Sequence, residues 1–295
     1  MDQQDALKKY FGHEKFRPGQ EKLIDGILSG RDVLGVMPTG GGKSVCYQLP
    51  ALLLPGVALV VSPLISLMKD QVAALAEAGV KAAFVNSSLT GEQVRAVYRR
   101  AWAGEFQLLY VAPERLAGEG FIKLAQGLEL SLVAVDEAHC VSQWGQDFRP
   151  SYLKIPEFLD KLSRRPPVAA FTATATSQVR EDIVRLLGLE TPLTLVTGYD
   201  RPNLYFEVCR PRSKSGALRD LLLPRMGKSG IIYCATRRGW KRSVRSSGTG
   251  ACPPPATTRG WRRMSGGGIR TISALTAVPS WWPPTLSAWA LTSPM

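Results

Sequence analysis

Seven short runs of apolar and β-branched residues recur between residues 32 and 198, each bounded by glycine, proline, serine or charged residues. They lie at 32–37, 57–63, 81–87, 106–112, 132–138, 167–173 and 193–198. Helix-like stretches at 64–78, 90–103 and 177–187 separate some of them, and a capping-box pattern from Thr90 to Gln93 opens the second. Apolar strands that alternate with helices predict an α/β fold with a parallel sheet covered on both faces. Because ligands of such sheets bind at the carboxyl ends of the strands, we expect the functional residues there.

The glycine-rich segment after the first predicted strand indicates a phosphate-binding loop. It consists of Met37, Pro38, Thr39, Gly40, Gly41, Gly42, Lys43 and Ser44. Glycine backbone N–H groups and the start of the following helix can surround phosphates. Lys43 is then expected to reach the β- and γ-phosphates of ATP, and the Ser44 hydroxyl to hold Mg²⁺. The usual pattern has glycine where this chain has Met37. A flexible turn is the alternative, which the strand–turn–helix context disfavours.

An acidic pair follows the apolar run 132–135. Asp136 at the end of this strand is expected to bind Mg²⁺, and Glu137 to orient or deprotonate the attacking water. His139 completes the motif as a candidate catalytic residue. Taken alone, two adjacent acids are typical of a solvated helix start, and a single histidine is typical of a structural role. Downstream of a phosphate loop, the same residues predict nucleoside-triphosphate hydrolysis.

Six motifs occur in one order within residues 6–239. They are FRPGQ at 16–20, MPTGGGKS at 37–44, SPLISLMKDQ at 62–71, APERL at 112–116, DEAHCVSQWGQDFRP at 136–150 and TATAT at 172–176. Together they resemble the amino-terminal motor lobe of RecQ-type DNA helicases of superfamily two. The segment 140–150 disfavours a general DEAH-box RNA helicase. The resemblance implies a RecA-like P-loop NTPase lobe that moves 3′→5′ on DNA with ATP and Mg²⁺, in DNA repair and recombination.

The resemblance also assigns roles to residues outside the phosphate loop. Arg17 and Gln20 match the residues that hold adenine in RecQ relatives. Trp144 and Phe148 can stack on unpaired bases while Arg149 meets a phosphate, the usual way of gripping a single strand, although two core aromatics are the alternative. Three more polar residues follow predicted strands and are expected to contact the DNA backbone: Ser62, Lys69 and Asn86.

Charge and cysteine content agree with a DNA-binding protein of the cytoplasm. The net charge of +13 suits a polyanionic partner, with a solvated basic surface as the alternative. Five scattered cysteines without a CxxC pair argue against a disulfide framework or a zinc site and fit a reducing compartment. No apolar run is long enough for a membrane span. The expected partners are single-stranded and partly duplex DNA, with no membrane, at a nucleoid-associated location.

The predicted organisation has three parts. Residues 1–198 form the ATP-binding lobe, and residues 199–239 form the truncated start of a second RecA-like lobe with strands at 203–208 and 229–238. Residues 240–295 carry seven basic residues, no acidic residue, five of the seven tryptophans and no periodicity. Such a composition predicts a disordered tail, and a basic nucleic-acid-binding arm is the alternative.

The tail is best explained as an out-of-frame translation. With synonymous codon choices, a shifted frame re-reads 239–245 as VEEVC, 257–262 as YHAGL and 280–295 as MVATNAFGMGIDKSN, strings expected in a second RecQ lobe. We therefore interpret the tail as the result of one base lost, or two gained, near codon 239. The chain is then expected to lack the arginine fingers of the second lobe and not to unwind DNA. A non-catalytic ATP- and DNA-binding fragment is the alternative function.

Overall fold

A seven-stranded parallel sheet organises the first of two units in the chain, Met1–Tyr199. The computed structural model describes residues 1–198 and 204–225. The sheet order is β3-β4-β2-β5-β6-β1-β7, and every pairing is parallel, which confirms the predicted α/β class. All seven predicted strands of this unit form: β1 (Val33–Val36), β2 (Val57–Val61), β3 (Ala82–Val85), β4 (Leu108–Val111), β5 (Leu130–Val135), β6 (Val168–Thr172) and β7 (Leu193–Val196).

Eight helices of the first unit accompany the strands. They are α1 (Gln3–Phe11), α2 (Gln20–Leu28), α3 (Lys43–Leu53), α4 (Ile65–Glu77), α5 (Gly91–Trp102), α6 (Glu119–Gln126), α7 (Ile155–Leu159) and α8 (Ser177–Leu186). The capping box of α5 is confirmed, because the Thr90 hydroxyl accepts from the Gln93 N–H while the Gln93 side chain accepts from the Thr90 N–H. Each helix of the described residues is too short or too polar to cross a membrane.

The apolar character of the strands follows from burial on both faces. In β2, Val57, Leu59 and Val61 belong to one hydrophobic cluster, while Ala58 and Val60 belong to the cluster on the opposite face. Successive side chains of a strand point to opposite faces, so a sheet covered on both sides needs apolar residues at every position. The carboxyl edge of this sheet therefore carries the polar residues, in the loops that leave the strands.

The second unit, Asp200–Met295, contains helix α9 (Lys214–Leu222) within its described residues. The strand predicted at 203–208 is wrong over its described part, because residues 204–208 adopt no regular structure. Tyr205, Phe206 and Val208 are exposed, and no described strand pairs with this segment. A strand requires a neighbour for its backbone groups, whatever its side-chain pattern. The strand predicted at 229–238 and the tail 240–295 lie outside the described residues.

Candidate active site

The predicted phosphate loop connects β1 to α3 at the carboxyl edge of the sheet. Met37, which replaces the usual glycine, is buried, and its sulfur lies 3.8 Å from the Sγ atom of Cys46 in α3. Its backbone N–H donates to the carbonyl oxygen of Thr172 at 3.0 Å. The methionine side chain thus packs into the core, and this departure from the usual pattern leaves the strand–loop–helix arrangement intact.

The N-terminal part of α2 holds the phosphate loop in place. The buried Gln20 donates from Nε2 to the carbonyl oxygen of Gly42 at 3.0 Å, and its Oε1 accepts from the Arg17 N–H at 2.8 Å. The exposed Arg17 donates from its guanidinium to the carbonyl oxygen of Gly40. The two residues predicted to hold adenine therefore lie directly against the loop predicted to hold the phosphates.

Lys43 and Ser44 occupy the first turn of α3, where helix N–H groups and the helix dipole favour anions. Both residues are half-buried. The Lys43 ammonium donates to the carbonyl oxygen of Met37 at 3.4 Å, a long hydrogen bond that spans the loop. The positive charge of Lys43 also favours the ionised form of Asp136, because it lowers the pKa of that carboxyl group.

Asp136 is a buried carboxylate at the end of β5. Its backbone N–H donates to the carbonyl oxygen of Val61, and its own carbonyl oxygen accepts from the Tyr152 hydroxyl at 2.8 Å. Burial, followed by the charge of Glu137, raises the pKa of Asp136 from 3.8 to about 6, against the opposing effect of Lys43. Glu137 has a φ of 48°, an uncommon left-handed conformation for a residue other than glycine. A buried, electrostatically destabilised carboxylate beside a strained acid is typical of a catalytic site.

His139 connects the acidic pair to the segment after β6. Its Nδ1 atom lies 2.9 Å from the Thr172 hydroxyl and 3.4 Å from a carboxylate oxygen of Glu137. The Thr172 hydroxyl also lies 3.2 Å from the carbonyl oxygen of Thr174, to which it donates. Because the Thr172 hydroxyl donates its own proton to Thr174, its oxygen accepts a hydrogen bond from Nδ1 of His139. The neutral imidazole is therefore assigned the tautomer with its proton on Nδ1. Burial is the main cause that lowers the pKa of His139, which favours this neutral form.

In the loop that follows His139, the Trp144 ring is exposed and the Arg149 side chain is held by hydrogen bonds. Trp144 is 72% exposed, which excludes the core-packing alternative for this residue, while Phe148 is half-buried. The guanidinium of Arg149 donates to a carboxylate oxygen of Asp147 at 2.7 Å and to the carbonyl oxygen of Pro63 at 3.0 Å. Arg149 therefore bridges the aromatic loop to the loop that follows β2.

Of the three residues predicted to contact the DNA backbone, only Lys69 on α4 is exposed. Ser62 is 1% exposed, and its hydroxyl has no hydrogen-bond partner among the described residues. The buried Asn86 accepts from the backbone N–H and the hydroxyl of Ser88 at 2.9 and 2.7 Å. Ser62 and Asn86 thus lie at the predicted strand ends with their side chains turned into the protein.

Two further residues hold these loops, and sequence reasoning missed both. Asp182 on α8 accepts from the Ser142 hydroxyl at 2.7 Å, and the Arg115 guanidinium donates to the carbonyl oxygen of Asn86 at 3.0 Å. Their partners lie 40 and 29 positions away in the chain. Asp182 alone is typical of a solvated helix face, and although Arg115 lies in the motif at 112–116, that motif carries no signal for a partner so far away in the chain.

A parallel sheet with a phosphate loop after β1 and an acidic pair after β5 defines the RecA-like class of P-loop proteins. Residues 17–183, more than half of the chain, match the DEAD/DEAH box helicase family, and the chain belongs to this family. Within it, the chain is 45% identical over 236 residues to the ATP-dependent DNA helicase RecQ of Bacillus subtilis, covering 80% of this chain and 40% of that protein. It is 44% identical over 250 residues to RecQ of Pasteurella multocida, covering 84% and 39%. The chain thus spans about two-fifths of the length of these curated relatives.

Solved structures of other helicases share the fold. The DUF1998 helicase MrfA bound to DNA superposes with a TM-score of 0.64 at 17% identity, covering 83% of this chain and 38% of that one. The helicase Lhr of Mycobacterium smegmatis bound to ssDNA and AMP-PNP superposes with a TM-score of 0.60 at 18% identity, covering 82% and 35%. At this identity the likeness establishes the RecA-like fold alone.

Proposed function

We propose that this chain supplies the ATP-binding and single-stranded-DNA-binding lobe of a RecQ-type 3′→5′ DNA helicase that acts in DNA repair and recombination. The observation that carries the proposal is the placement of Lys43 and the Asp136–Glu137 pair at the sheet edge, with the exposed Trp144 in the loop that follows. The similarity to the ATP-dependent DNA helicases RecQ supports it, and the family match favours a helicase over a non-catalytic fragment. We expect it to work in the cytoplasm, on nucleoid DNA.

The donor set near Asp136 fits a magnesium ion. The Asp136 carboxylate is buried and, within the part of the chain that the structure describes, accepts one hydrogen bond, from the Glu137 N–H at 3.0 Å, so burial of its charge is poorly compensated. Mg²⁺ is held in proteins by one or two oxygen ligands together with waters and substrate phosphates, and Ser44 and Asp136 would provide such ligands. When bound, Mg²⁺ neutralises charge on the phosphate oxygens.

Residues of the chain would bind the nucleotide, activate the attacking water and contact the DNA. The first turn of α3 and Lys43 would bind the β- and γ-phosphates, while Arg17 and Gln20 would contact the adenine beside the loop they already hold. Glu137 would orient the attacking water and accept its proton. His139 would hold the Glu137 carboxylate in position. Because its Nδ1 atom also contacts Thr172, it would transmit movements of Asp136 and Glu137 to the segment after β6. Trp144, Phe148 and Arg149, with the exposed Lys69 on α4, would form the DNA-binding edge, while the buried Ser62 and Asn86 would support it from inside the protein.

Calorimetric titration of Mg-ATP tests the nucleotide assignment. Lys43→Ala removes the positive charge from the phosphates and is expected to abolish measurable binding, because a charge-assisted contact to phosphate is lost. Lys123→Ala is the matched control, since it removes an exposed lysine from α6. Equal affinities for the wild-type chain and Lys43→Ala would refute the site.

The out-of-frame interpretation of residues 240–295 is part of the proposal. Resequencing the gene around codon 239 tests it directly. In a strand-displacement assay on a 3′-tailed duplex, we expect no unwinding by the chain as printed and unwinding by the frame-restored protein. An arginine finger from a second lobe is worth roughly 10³–10⁵ in rate in related phosphoryl-transfer systems, which accounts for the expected loss. Unwinding by the printed chain would refute this part of the proposal and leave the nucleotide site untouched.

A further inference from the structure

The loop that exposes Trp144 is fixed at its base by one buried hydroxyl. Ser142 is fully buried, and its Oγ accepts from the Trp144 N–H at 3.1 Å while the Ser142 carbonyl oxygen accepts from the Gly145 N–H at 3.0 Å. The same hydroxyl donates to a carboxylate oxygen of Asp182 at 2.7 Å. The direction of the Ser142 side chain, and with it the backbone of Trp144, therefore depends on an acceptor that lies outside the loop.

Asp182 is well placed to be that acceptor. It lies on α8, and its second carboxylate oxygen accepts from the Arg185 guanidinium at 2.6 Å on the same helix. The hydrogen bond from Ser142 is the first cause, and that from Arg185 the second, that lowers the pKa of Asp182. The carboxylate is thus kept ionised, and a hydroxyl that donates to an ionised acceptor makes a stronger bond than a neutral pair does.

Helix α8 also connects this contact to the rest of the site. It begins at Ser177, directly after the segment whose Thr172 hydroxyl contacts His139, and the Thr176 side chain caps its first turn. The indole of Trp144 is 72% exposed, and the backbone that carries it is held by Ser142. Its backbone anchor is therefore what decides where the ring is presented.

We infer that Asp182 is a positioning residue for single-stranded DNA, which holds Ser142 so that Trp144 is presented to an unpaired base. The inference rests on the proposed function, because it assumes that Trp144 binds DNA. Asp182 contacts neither nucleotide nor DNA itself and acts through Ser142. An aromatic residue whose backbone is already held loses less conformational freedom when it binds a base, so the anchor contributes to affinity without adding a contact.

Binding of a fluorescein-labelled oligothymidylate to the full chain, measured by anisotropy, tests the inference. Asp182→Asn removes the charge from the acceptor of the Ser142 hydroxyl, and Ser142→Ala removes that hydroxyl together with its bond to the Trp144 N–H, so each is expected to weaken DNA binding, by up to about tenfold. The double variant should be no weaker than Ser142→Ala alone, since Asp182 acts through the Ser142 hydroxyl. Glu181→Gln is the matched control, because it neutralises the neighbouring exposed carboxylate of α8 and should bind like wild type.

Two further readouts distinguish positioning from general damage. Mg-ATP affinity should be unchanged in Asp182→Asn and Ser142→Ala, and amide exchange at Trp144 and Gly145 should be faster. A loss of Mg-ATP affinity parallel to the loss of DNA binding, or additive effects in the double variant, would overturn the inference.

Trp144→Ala separates the failure of this inference from that of the proposed function. If Trp144→Ala weakens DNA binding while Asp182→Asn binds like wild type, the positioning role is wrong and the DNA interface stands. If the wild-type chain and Trp144→Ala bind the oligonucleotide equally, the proposed DNA interface itself is wrong and the role of Asp182 falls with it.

Discussion

Gln20 and Gly42 form a single structural unit at the nucleotide site. The Nε2 atom of Gln20 donates to the carbonyl oxygen of Gly42 at 3.0 Å, and a Cβ atom added to Gly42 would lie 2.3 Å from that same nitrogen. Gly42 also has a φ of +80°, a conformation that favours glycine. Gly42 therefore determines both the backbone shape of the phosphate loop and how closely α2 can approach that loop.

Replacement of Gly42 by alanine should damage both nucleotide binding and stability. Gly42→Ala adds backbone strain at positive φ and a clash with the buried Gln20 amide, so we expect Mg-ATP affinity to fall at least about tenfold. Gly79→Ala is the matched control, because Gly79 has a φ of +78° and nothing lies within 4 Å of an added Cβ. The control should lose about 1 kcal/mol of stability and keep its Mg-ATP affinity. Equal Mg-ATP affinities for the two variants, measured by calorimetry, would contradict the role of the clash.

The buried carboxylate of Asp136 should make the metal-free protein less stable above pH 6. Folding raises the pKa of this group from 3.8 to about 6, so the folded chain binds the proton more tightly than the unfolded chain. The free energy of unfolding then decreases as pH rises from about 4 to about 6. Asp136→Asn lacks this decrease, and its stability relative to wild type should rise by up to roughly 3 kcal/mol across that range, at about 1.4 kcal/mol per pH unit.

Urea denaturation in EDTA at pH 4 and pH 7 measures this difference. Asp136→Asn should also lose Mg²⁺-dependent ATP binding, so that the variant is more stable and less functional at neutral pH. A stability difference between variant and wild type that is the same at both pH values would contradict the assigned burial effect.

The strands and the central site residues were predictable because their signals are local. The inner strands of the sheet are mostly apolar, since both of their faces are covered, whereas the edge strand β7 is partly exposed. Asp136 directly follows β5 and Lys43 follows the loop after β1, and the ends of these strands must meet at one edge. The strand predicted at 203–208 failed for the opposite reason. Its pattern is also apolar, but strand formation depends on a pairing partner, which no local pattern specifies.

The contacts that fix the loops were not predictable from local patterns. Asp32 and Arg165 are 133 positions apart, and neither lies in a recognisable motif. The side chains of Ser62 and Asn86 lie where the strand ends place them, but their burial depends on how neighbouring loops pack. The local sequence shows which residue follows each strand. Whether the side chain of that residue is buried depends on segments that lie far away in the chain.

Asp32 should be among the most sensitive positions for stability. Its buried carboxylate accepts from both terminal nitrogens of Arg165, at 3.2 and 2.6 Å, and from the N–H groups of Val168 and Glu190, at 2.8 and 2.7 Å. Asp32→Ala removes the acceptor of all four bonds at once and leaves the buried Val168 N–H without its partner, and we expect a loss of about 3–5 kcal/mol in the free energy of unfolding. Glu105→Ala, which breaks an exposed ion pair with Arg100, should lose less than about 1 kcal/mol. Similar urea midpoints for the two variants would contradict this prediction.

Replacement of Gly145 should separate DNA binding from nucleotide binding. An added Cβ would lie 2.2 Å from the carbonyl oxygen of His139 and 3.0 Å from that of Ser142, both backbone atoms that cannot rotate away. The base of the aromatic loop must therefore open in Gly145→Ala, and Trp144 must move. We expect oligothymidylate affinity to fall by about tenfold or more, since base–aromatic stacking is worth about 1–3 kcal/mol per base.

Mg-ATP affinity should fall less than DNA affinity in Gly145→Ala, because the nearest atoms to the added Cβ belong to His139 and Ser142 rather than to the phosphate loop. Gly120→Ala is the control for the substitution itself. Gly120 lies inside α6, where an added Cβ meets only the Tyr98 ring at an ordinary 3.8 Å, and alanine is a better helix former than glycine. The control should match wild type in both titrations and gain slightly in stability. Unchanged DNA affinity in Gly145→Ala would mean that the loop geometry seen here does not control base contact.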